Sequence, residues 1–349
     1  MDPIKIAFFD AKPYDILSFE AINKEFGYKI SFFEGHLTEE NAEITRNFNV
    51  VCAFVNDTLN GNVIKILKEN GVKLVAMRCA GYNNVDLKEA FGNMHILRVP
   101  AYSPYAVAEH AVALIMTLNR KTHKAYNRTR EGNFSINGLL GFDMFGKTVG
   151  IIGTGKIGKI FINILKGFGV KILAYDMFPN LEYAKSENIE YCELDKIYKE
   201  SDIISLHCPL SKETTYIINE ESLSKMKNNV IIINTSRGQL IDTKALIDAL
   251  KDKKIGGAGL DVYEEESEYF FEDHSGNIVN DDILARLLTF NNVLITSHQA
   301  FFTKEALKNI GETTLNNIKD FFDGKPLINE ICYQCNQNAC SKKENGKCF

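Results

Sequence analysis

Two polar side chains follow apolar runs of the sequence, at the points where strands would end. Three residues separate Arg237 from the apolar run 230–233, and His298 comes shortly after the run 293–296. A third candidate, Glu266, belongs to an acidic run between them. Singly, each has an ordinary explanation: a surface ion pair, a hydrogen-bonded core histidine, or a solvated acidic face. Together they match the reduction of a carbonyl acid by hydride, which needs a cation for the carboxylate, a proton donor, and a carboxylate that keeps the donor protonated.

A glycine-rich run in the middle of the chain predicts a nucleotide site. Gly153, Gly155 and Gly158 follow the apolar stretch 149–152 and precede a helical pattern. A strand, a tight turn and a helix N-terminus bring backbone N–H groups and the helix dipole to a pyrophosphate, although glycine turns also occur for structural reasons. Asp176 ends the next apolar run, roughly twenty residues on, where a carboxylate takes ribose hydroxyls and repels a 2′-phosphate. No arginine follows Asp176 directly, so NAD is expected rather than NADP.

Composition limits the class of protein. The chain has 349 residues, of which 45% are hydrophobic and 24% are charged, with a net charge of -5. Lysines and arginines are scattered, so we expect no nucleic-acid and no membrane partner. The first residues lack the pattern of a secretory signal, and the apolar stretch 106–118 is too short to span a bilayer, so a cytoplasmic location is expected. Four cysteines near apolar runs (Cys52, Cys79, Cys192 and Cys208) are expected to be free thiols.

Two series of short apolar runs alternate with helical patterns, which is typical of α/β proteins with doubly wound parallel sheets. The first series comprises 4–9, 29–33, 50–55, 74–77 and 95–99. The second comprises 149–152, 171–175, 203–206, 230–233, 258–262 and 293–296, after a long helix at 105–119. A last helix, 304–322, has no strand after it and is expected to return to the first domain. We predict a substrate domain at 1–101 and 300–333, an inserted NAD-binding domain at 102–299, and a Cys/Lys-rich C-terminal tail at 334–349.

Several longer motifs resemble one known family. The segments 153–158, 205–210, 234–242, 259–264 and 298–303 resemble the D-specific 2-hydroxyacid dehydrogenases, over about residues 4 to 330. The segments 99–104, 108–111, 269–273 and 281–282 resemble the NAD-dependent D-lactate dehydrogenase branch. The resemblance implies a Rossmann domain inserted into a flavodoxin-like domain. It also implies reversible, NADH-dependent reduction of pyruvate to D-lactate in a homodimer or higher homo-oligomer.

The resemblance also implies roles for individual residues. Arg237 would bind the substrate carboxylate, His298 would act as general acid and base, and Glu266 would hydrogen-bond the imidazole. Asp261 would orient the nicotinamide. Further cofactor contacts would come from Lys156, Ile157, Cys208, Pro209, Thr214, Thr235 and Ser236, besides the glycines and Asp176. Substrate contacts would come from Ala80, Gly81, Tyr102, Phe54 and Phe301, besides Arg237, although each aromatic side chain has an equally ordinary place in a core.

The sequence is compatible with two other functions. One is a dehydrogenase for a bulkier 2-keto acid, with a branched or aromatic side chain. The other is a regulator of the same fold that senses NADH without turnover, because fold and cofactor alone do not establish activity. The presence of Arg237, Glu266 and His298 favours an enzyme.

The cysteines after residue 330 depart from the family pattern. Cys332 and Cys335 have the short spacing of a zinc or iron–sulfur knuckle, and Cys340 and Cys348 follow at looser spacing. No histidine lies near them in the sequence. A metal site, a redox-sensitive disulfide and a disordered tail are all compatible with this pattern.

Overall fold

The structure is a computed structural model that describes residues 3–265, 269–335 and 340–349. The chain divides into two compact units, one formed by Met1–Ser103 with Phe302–Phe349 and the other by Pro104–Phe301. The predicted tail, residues 334–349, falls within the range of the first unit. The boundaries and roles assigned to the domains from the sequence stay predictions.

The first unit is built on a parallel sheet. Its strands are β1 Lys5–Phe8, β2 Lys29–Phe32, β3 Val50–Ala53, β4 Leu74–Met77 and β5 His95–Leu97. They lie in the order β2-β1-β3-β4-β5, and every pair is parallel. Every residue of β3 and β4 is buried. Continuous apolar strands are expected in a parallel sheet that is covered on both faces.

Helices cover this sheet, and side chains cap the N-termini of several of them. The helices are α1 Pro13–Asn23, α2 Gly61–Glu69, α3 Leu87–Ala90, α12 Lys304–Phe322 and α13 Lys342–Asn345, with a short 3₁₀ helix at Ala42–Thr45. The Asn60 side chain accepts a hydrogen bond from Val63 N–H at the start of α2, and Thr303 accepts one from Ala306 N–H at the start of α12. Helix α12 packs against α1, so the chain returns to this unit after completing the other.

The second unit also has a parallel sheet. Its strands are β6 Thr148–Ile152, β7 Lys171–Tyr175, β8 Glu190–Tyr191, β9 Ile203–Leu206, β10 Val230–Asn234, β11 Ile255–Leu260 and β12 Val293–Ile295. They lie in the order β12-β11-β10-β9-β6-β7-β8. The sequence did not predict β8, which has two residues and no apolar run. The predicted fold class, two doubly wound parallel-sheet domains with a Rossmann unit, is confirmed.

The helices of the second unit surround its sheet. They are α4 Pro104–Arg120, α5 Thr122–Arg130, α6 Lys156–Lys166, α7 Leu181–Glu187, α8 Leu194–Glu200, α9 Glu220–Lys225, α10 Thr243–Lys251 and α11 Asp282–Leu288, with a 3₁₀ turn at Gly238–Leu240. Helix α4 packs against α6, β10 and β11. Its side chains Ala108, Ala111, Leu114 and Ile115 belong to the core of this unit. Burial within one chain therefore accounts for the apolar side of this helix.

Among the described residues, no helix combines the length and the apolar character needed to cross a membrane. The cysteines are free thiols. Cys52, Cys79 and Cys208 are buried and Cys192 is partly buried, as expected for cysteines beside apolar strands.

Candidate active site

The glycine turn between β6 and α6 has no room for side chains at two of its positions. A Cβ on Gly153 would lie 2.5 Å from the backbone nitrogen of Cys208, and its φ of +99° is unfavourable for any other residue. A Cβ on Gly158 would lie 2.2 Å from the carbonyl oxygen of Gly153. Gly155, the N-cap residue of α6, has open space where its Cβ would be. The turn thus packs tightly against the sheet and leaves the helix N-terminus open, as dinucleotide binding requires.

His207 is packed beneath this turn, at the end of β9. Its Nε2 lies 2.9 Å from the Ser205 hydroxyl oxygen, and its ring lies 4.6 Å from the Phe161 ring. Burial disfavours the imidazolium and lowers the pKa of His207 to about 3. The imidazole is therefore neutral in the folded protein. The sequence motif included this histidine, but nothing in the sequence indicated that it would be buried.

Asp176 follows β7 and holds the glycine turn. Its Oδ2 accepts hydrogen bonds from Thr154 N–H at 2.7 Å and from the Thr154 hydroxyl at 3.0 Å. Its Oδ1 accepts one from Phe178 N–H at 2.9 Å. Burial opposes the charge, but the hydrogen bonds from Phe178 and Thr154 outweigh it and keep the pKa of Asp176 below its usual value. The carboxylate is therefore ionised and lies beside the turn, where a ribose hydroxyl would be recognised.

The other predicted cofactor residues differ in exposure and in the hydrogen bonds that they make within the protein. Lys156 is exposed and Ile157 is half-buried, both in the first turn of α6. The Thr214 hydroxyl closes a turn, donating to the Pro209 carbonyl at 2.7 Å and accepting from Ser211 N–H at 2.8 Å. Burial raises the pKa of Cys208 to about 11, which fits a packed thiol and not a nucleophile.

Two hydroxyl residues lie between β10 and Arg237. The Ser236 hydroxyl donates to the Leu206 carbonyl at 2.9 Å. The Thr235 hydroxyl is buried and has no hydrogen-bond partner among the described residues. An unpaired buried hydroxyl is costly, so Thr235 is suited to a polar partner outside the chain. The open helix N-terminus at Gly155 and this hydroxyl both fit a dinucleotide.

The loop after β10 fixes the backbone of Arg237. The Asn234 side chain donates to the Arg237 carbonyl at 2.9 Å and accepts from Ser236 N–H at 3.0 Å. The next residue, Gly238, passes so close to Tyr263 that a Cβ would lie 2.1 Å from a backbone carbon. The half-buried guanidinium donates from Nη1 to the Ser236 carbonyl at 2.7 Å. The arginine is therefore held at the carboxyl edge of the sheet.

Asp261 follows β11 and organises the loop after β12. Its fully buried carboxylate accepts hydrogen bonds from the Thr296 hydroxyl at 2.5 Å, from Gln299 N–H at 2.9 Å and from Ala300 N–H at 2.8 Å. Its carbonyl accepts one from His298 N–H at 2.8 Å. The hydrogen-bond donors to this carboxylate are groups of the protein itself. In this structure Asp261 is a support for the loop that carries His298, whereas its predicted contact with the nicotinamide stays a prediction.

His298 has an unusual backbone conformation in this loop. Its φ is +47°, in the left-handed region that non-glycine residues rarely adopt. Its ring lies 5.9 Å from the Phe271 ring. Such a conformation persists only where neighbouring contacts impose it, and the hydrogen bonds to Asp261 do so here. The loop therefore holds the histidine in a defined position.

The sequence reasoning missed His110 as a member of this group. On α4, His110 Nε2 lies 3.1 Å from the Thr296 hydroxyl oxygen and 3.4 Å from Asp261 Oδ1. The available signal was a histidine, preceded by Glu109, inside the mostly apolar stretch 106–118. His110 links α4 to the support beneath His298.

Glu266 lies outside the described residues, so its predicted contact with His298 stays a prediction. Its neighbour Glu264 is engaged in structural contacts: it accepts from Thr243 N–H at 2.9 Å and from the Tyr216 hydroxyl at 2.8 Å. One member of the acidic run is therefore structural.

The predicted substrate residues of the first unit follow its strands. Ala80 and Gly81 lie in the loop after β4, where the Ala80 carbonyl accepts a hydrogen bond from Arg98 at 2.6 Å. Tyr102 is half-buried, and its carbonyl accepts from Asn309 of α12 at 2.5 Å. Phe54 follows β3 and is half-buried. Phe301, which belongs to the second unit, is 9% exposed.

The sequence reasoning did not give a role to Arg78, which is buried at the end of β4. Its guanidinium lies 4.6 Å from the Phe54 ring, and Nη2 donates to the Asp10 carbonyl at 2.6 Å. Burial opposes its charge, but neighbouring carboxylates, Asp15 first, keep the pKa of Arg78 above its usual value. Arg78 thus supports Phe54 and the loop that begins with it. A charged residue directly after an apolar strand pattern was the available signal.

Comparison with known proteins identifies the family. Residues 112–300 match the family model of the D-isomer specific 2-hydroxyacid dehydrogenase, NAD binding domain. The chain belongs to the D-isomer specific 2-hydroxyacid dehydrogenases. It is 49% identical to a D-lactate dehydrogenase of Escherichia coli (strain K12), over 94% of this chain and 100% of that protein. The predicted family is confirmed.

Solved structures of this family have the same fold. The apo-structure of D-lactate dehydrogenase from Escherichia coli matches with a TM-score of 0.87 at 48% identity, over 94% of this chain and 100% of that one. The D-lactate dehydrogenase with NAD⁺ from Lactobacillus jensenii matches with a TM-score of 0.79 at 34% identity, over 94% and 99%. This chain is an NAD-dependent oxidoreductase of the 2-hydroxyacid dehydrogenase family, as predicted. The roles of individual site residues stay predictions.

The buried neutral His207 predicts a loss of stability in acid. Its pKa in the folded chain, about 3, lies below the usual value of 6.5, so the unfolded chain binds a proton first as pH falls. Stability from this group is complete above the unfolded pKa and decreases as pH falls towards 3. Between pH 7 and pH 5 we expect the free energy of unfolding to fall by about 2 kcal/mol on this account.

Urea unfolding of the wild type and of His207→Gln at both pH values measures this loss. We expect a smaller decrease in His207→Gln, since glutamine does not titrate. Burial also lowers the pKa of His123, a partly exposed histidine on α5, so the decrease in His123→Gln should lie between those of the wild type and His207→Gln. Equal decreases in the wild type and His207→Gln would contradict this assignment.

Proposed function

We propose that this protein catalyses the reversible, NADH-dependent reduction of pyruvate to D-lactate. The observation that carries the proposal is the placement of Arg237 and His298 in the loops after β10 and β12, the two strands that flank β11. Parallel strands bring their carboxyl ends to one edge of a sheet, where ligands of such folds bind. The dehydrogenase relatives add the substrate class, since the Escherichia coli relative is named a D-lactate dehydrogenase.

The two side chains supply complementary chemistry at this edge. The guanidinium of Arg237 presents a planar pair of donors to the substrate carboxylate and polarises the keto oxygen. The imidazolium of His298 donates a proton to that oxygen during reduction, and the neutral imidazole accepts it during oxidation. NADH supplies the hydride when bound. In this proposal Glu266 favours the imidazolium by hydrogen bonding to it.

Cofactor recognition is proposed for the opposite half of the same sheet edge. Backbone N–H groups at Gly155, Lys156 and Ile157 would bind the pyrophosphate at the start of α6. Asp176 would accept hydrogen bonds from the ribose hydroxyls. Cys208, Pro209, Thr214, Thr235 and Ser236 would border the remainder of the cofactor.

Substrate size is proposed to depend on the first unit. The backbone N–H groups of Ala80 and Gly81 would bind the carboxylate, and Tyr102 and Phe54 would contact the small alkyl group. Phe301 would add an apolar surface from the second unit. The support that Arg78 gives Phe54 is consistent with a fixed aromatic side chain at this position.

We also propose a homo-oligomer, at least a dimer, in the cytoplasm. The segment 134–145 of the second unit presents large apolar side chains to solvent: Phe134 at 77%, Ile136 at 81%, Leu140 at 88% and Phe145 at 80% exposure. Contiguous exposed apolar side chains are typical of protein interfaces. A second copy of this chain is the proposed partner for this surface.

A panel of 2-keto acids with NADH, followed by chiral separation of the product, tests the proposed reaction. We expect pyruvate to give the highest kcat/KM, at least about tenfold above branched or aromatic 2-keto acids, because each methylene misfit costs about 1–3 kcal/mol. The product should be D-lactate. Preference for a branched or aromatic acid would overturn the choice of pyruvate as substrate. Absence of turnover with every acid would overturn the proposal that the protein is an active dehydrogenase.

Replacement of the proposed acid, His298→Gln, should separate chemistry from cofactor binding. We expect kcat for pyruvate to fall by about 10²–10⁴-fold, the usual contribution of a general acid. The Kd for NADH, measured by fluorescence titration, should change little. His123→Gln provides a matched control with wild-type turnover. Wild-type turnover in His298→Gln would contradict the role of the imidazole.

The oligomer can be tested by light scattering after size-exclusion chromatography. The wild type should have at least about twice the chain mass of 39.3 kDa. Leu140→Ser combined with Phe134→Ser should lower the mass toward that of one chain, because both changes remove apolar surface. Ile278→Ser, at a side chain that is 86% exposed elsewhere, should leave the mass unchanged. A wild-type monomer would rule out this interface.

A further inference from the structure

Four cysteines come together in the segment after Glu330, outside the proposed dehydrogenase site. They are Cys332, Cys335, Cys340 and Cys348, and all four sulfur atoms lie within 4.8 Å of one another. Cys332 and Cys348 are buried, Cys340 is partly buried and Cys335 is exposed. We call these four residues the thiol cluster. All of them belong to the first unit.

The spacing of the sulfur atoms has the size of one tetrahedral metal site. Cys332 Sγ lies 3.7 Å from both Cys335 Sγ and Cys340 Sγ. Cys335 Sγ lies 3.8 Å from both Cys340 Sγ and Cys348 Sγ, and the last two lie 3.5 Å apart. Four sulfurs bound to one zinc ion at about 2.3 Å form a tetrahedron whose edges are about 3.8 Å. The thiol cluster therefore has the dimensions of a mononuclear site.

These distances do not single out a pair for a disulfide. Each of the four sulfurs has at least two neighbours at similar distance, whereas a disulfide joins one pair at about 2.05 Å. An iron–sulfur cluster with several iron atoms spreads its cysteine ligands over different metal ions, which needs wider spacing. One tetrahedral ion accounts for all five of these sulfur–sulfur distances at once.

The backbone around the first two cysteines has the form of a metal-binding knuckle. Cys335 N–H donates to the Cys332 carbonyl at 3.2 Å, closing a turn. Cys332 N–H donates to Cys335 Sγ at 3.3 Å. Donation to a sulfur favours its thiolate form, which is the form that binds a metal. The turn therefore orients two of the four ligands.

Two lysines lie near the thiol cluster, where their positive charges would favour a bound metal. Four thiolates and one divalent ion carry a net charge of −2, which is favoured by nearby cations. Lys342 and Lys343 line the same surface cavity as Cys335 and Cys340. Lys342 also donates to the Glu330 carbonyl at 2.7 Å, so its ammonium group has a fixed position.

The residues that carry the last two cysteines are attached to the edge strand β5. Cys348 N–H donates to buried Glu330 Oε2 at 2.6 Å, and Glu330 Oε1 lies 2.5 Å from His95 Nδ1. The Phe349 ring stacks on the His95 ring, with centroids 4.4 Å apart and planes at 8°. Ile331 N–H donates to the Ile96 carbonyl at 2.9 Å. A metal in the thiol cluster would join residues 340–349 to residues that already pair with β5.

From this geometry we propose that the thiol cluster binds one Zn²⁺ ion in a structural tetrathiolate site. Zinc prefers four-coordinate thiolate sites of this kind, and a site without an open position for water is structural and not catalytic. The ion fastens residues 340–349 over β5. The site takes no part in hydride transfer, so this proposal can be tested independently of the proposed dehydrogenase reaction.

Metal analysis of the full chain, purified without oxygen and without a metal-affinity tag, tests the proposal. We expect about one zinc per chain in the wild type and a loss of most of it in Cys340→Ser and Cys348→Ser. Cys192→Ser removes a partly buried cysteine in the second unit and should keep the wild-type zinc content. Far-ultraviolet circular dichroism, which reports on the helices and strands of both units, checks that the variants fold.

Cobalt provides a second readout that does not depend on activity. Titration of metal-free protein with Co²⁺ should give the intense visible and near-ultraviolet absorption of tetrahedral cobalt thiolate, and Zn²⁺ should abolish it. Cys340→Ser should change the spectrum, whereas Cys192→Ser should not. Metal-free wild type should melt at a lower temperature than the zinc form, because a ligand that binds only the folded state stabilises it. Iron in place of zinc would overturn the choice of metal, and four titratable thiols or disulfides without metal would overturn the site.

Discussion

The buried carboxylate of Asp261 is the contact on which the geometry of the proposed active site depends. It accepts hydrogen bonds from a hydroxyl and two backbone N–H groups of the loop 296–300. A charged acceptor in a dry site is stabilised only when its lone pairs are used, so the loop and the carboxylate require each other. The left-handed backbone of His298 is one result of this mutual requirement.

The parallel sheet of the second unit places the loop held by Asp261 beside the loop that carries Arg237. Strands β10, β11 and β12 are neighbours, so the residues that follow them lie at one edge. Arg237 is held by its own loop, Asp261 holds the next, and His298 is held by Asp261. Helix α4 joins this system through His110. Rigid positioning of this kind lowers the reorganisation that a polar reaction otherwise requires.

Much of this architecture could be predicted from the sequence, because buried parallel strands are continuous apolar runs. The pattern also located Arg237 and His298 at strand ends, since polar residues interrupt such runs there. It did not predict β8, whose two residues carry no pattern. It did not reveal the burial of His207 or the links of Arg78, because these depend on contacts between residues distant in sequence. The four cysteines were visible in the sequence, but their tetrahedral spacing depends on how the segment 332–348 folds back on itself.

Asp176 couples the choice of cofactor to the stability of the glycine turn. The carboxylate proposed to recognise the ribose also ties the glycine turn to β7 through the backbone of Thr154. A lineage that exchanged this residue to accept a phosphorylated cofactor would also remove an anchor of the turn. Adaptation to a different cofactor would therefore require a second substitution that holds the turn in another way. Tyr191 is placed for such a role, because its hydroxyl lies 2.7 Å from the Thr154 hydroxyl oxygen.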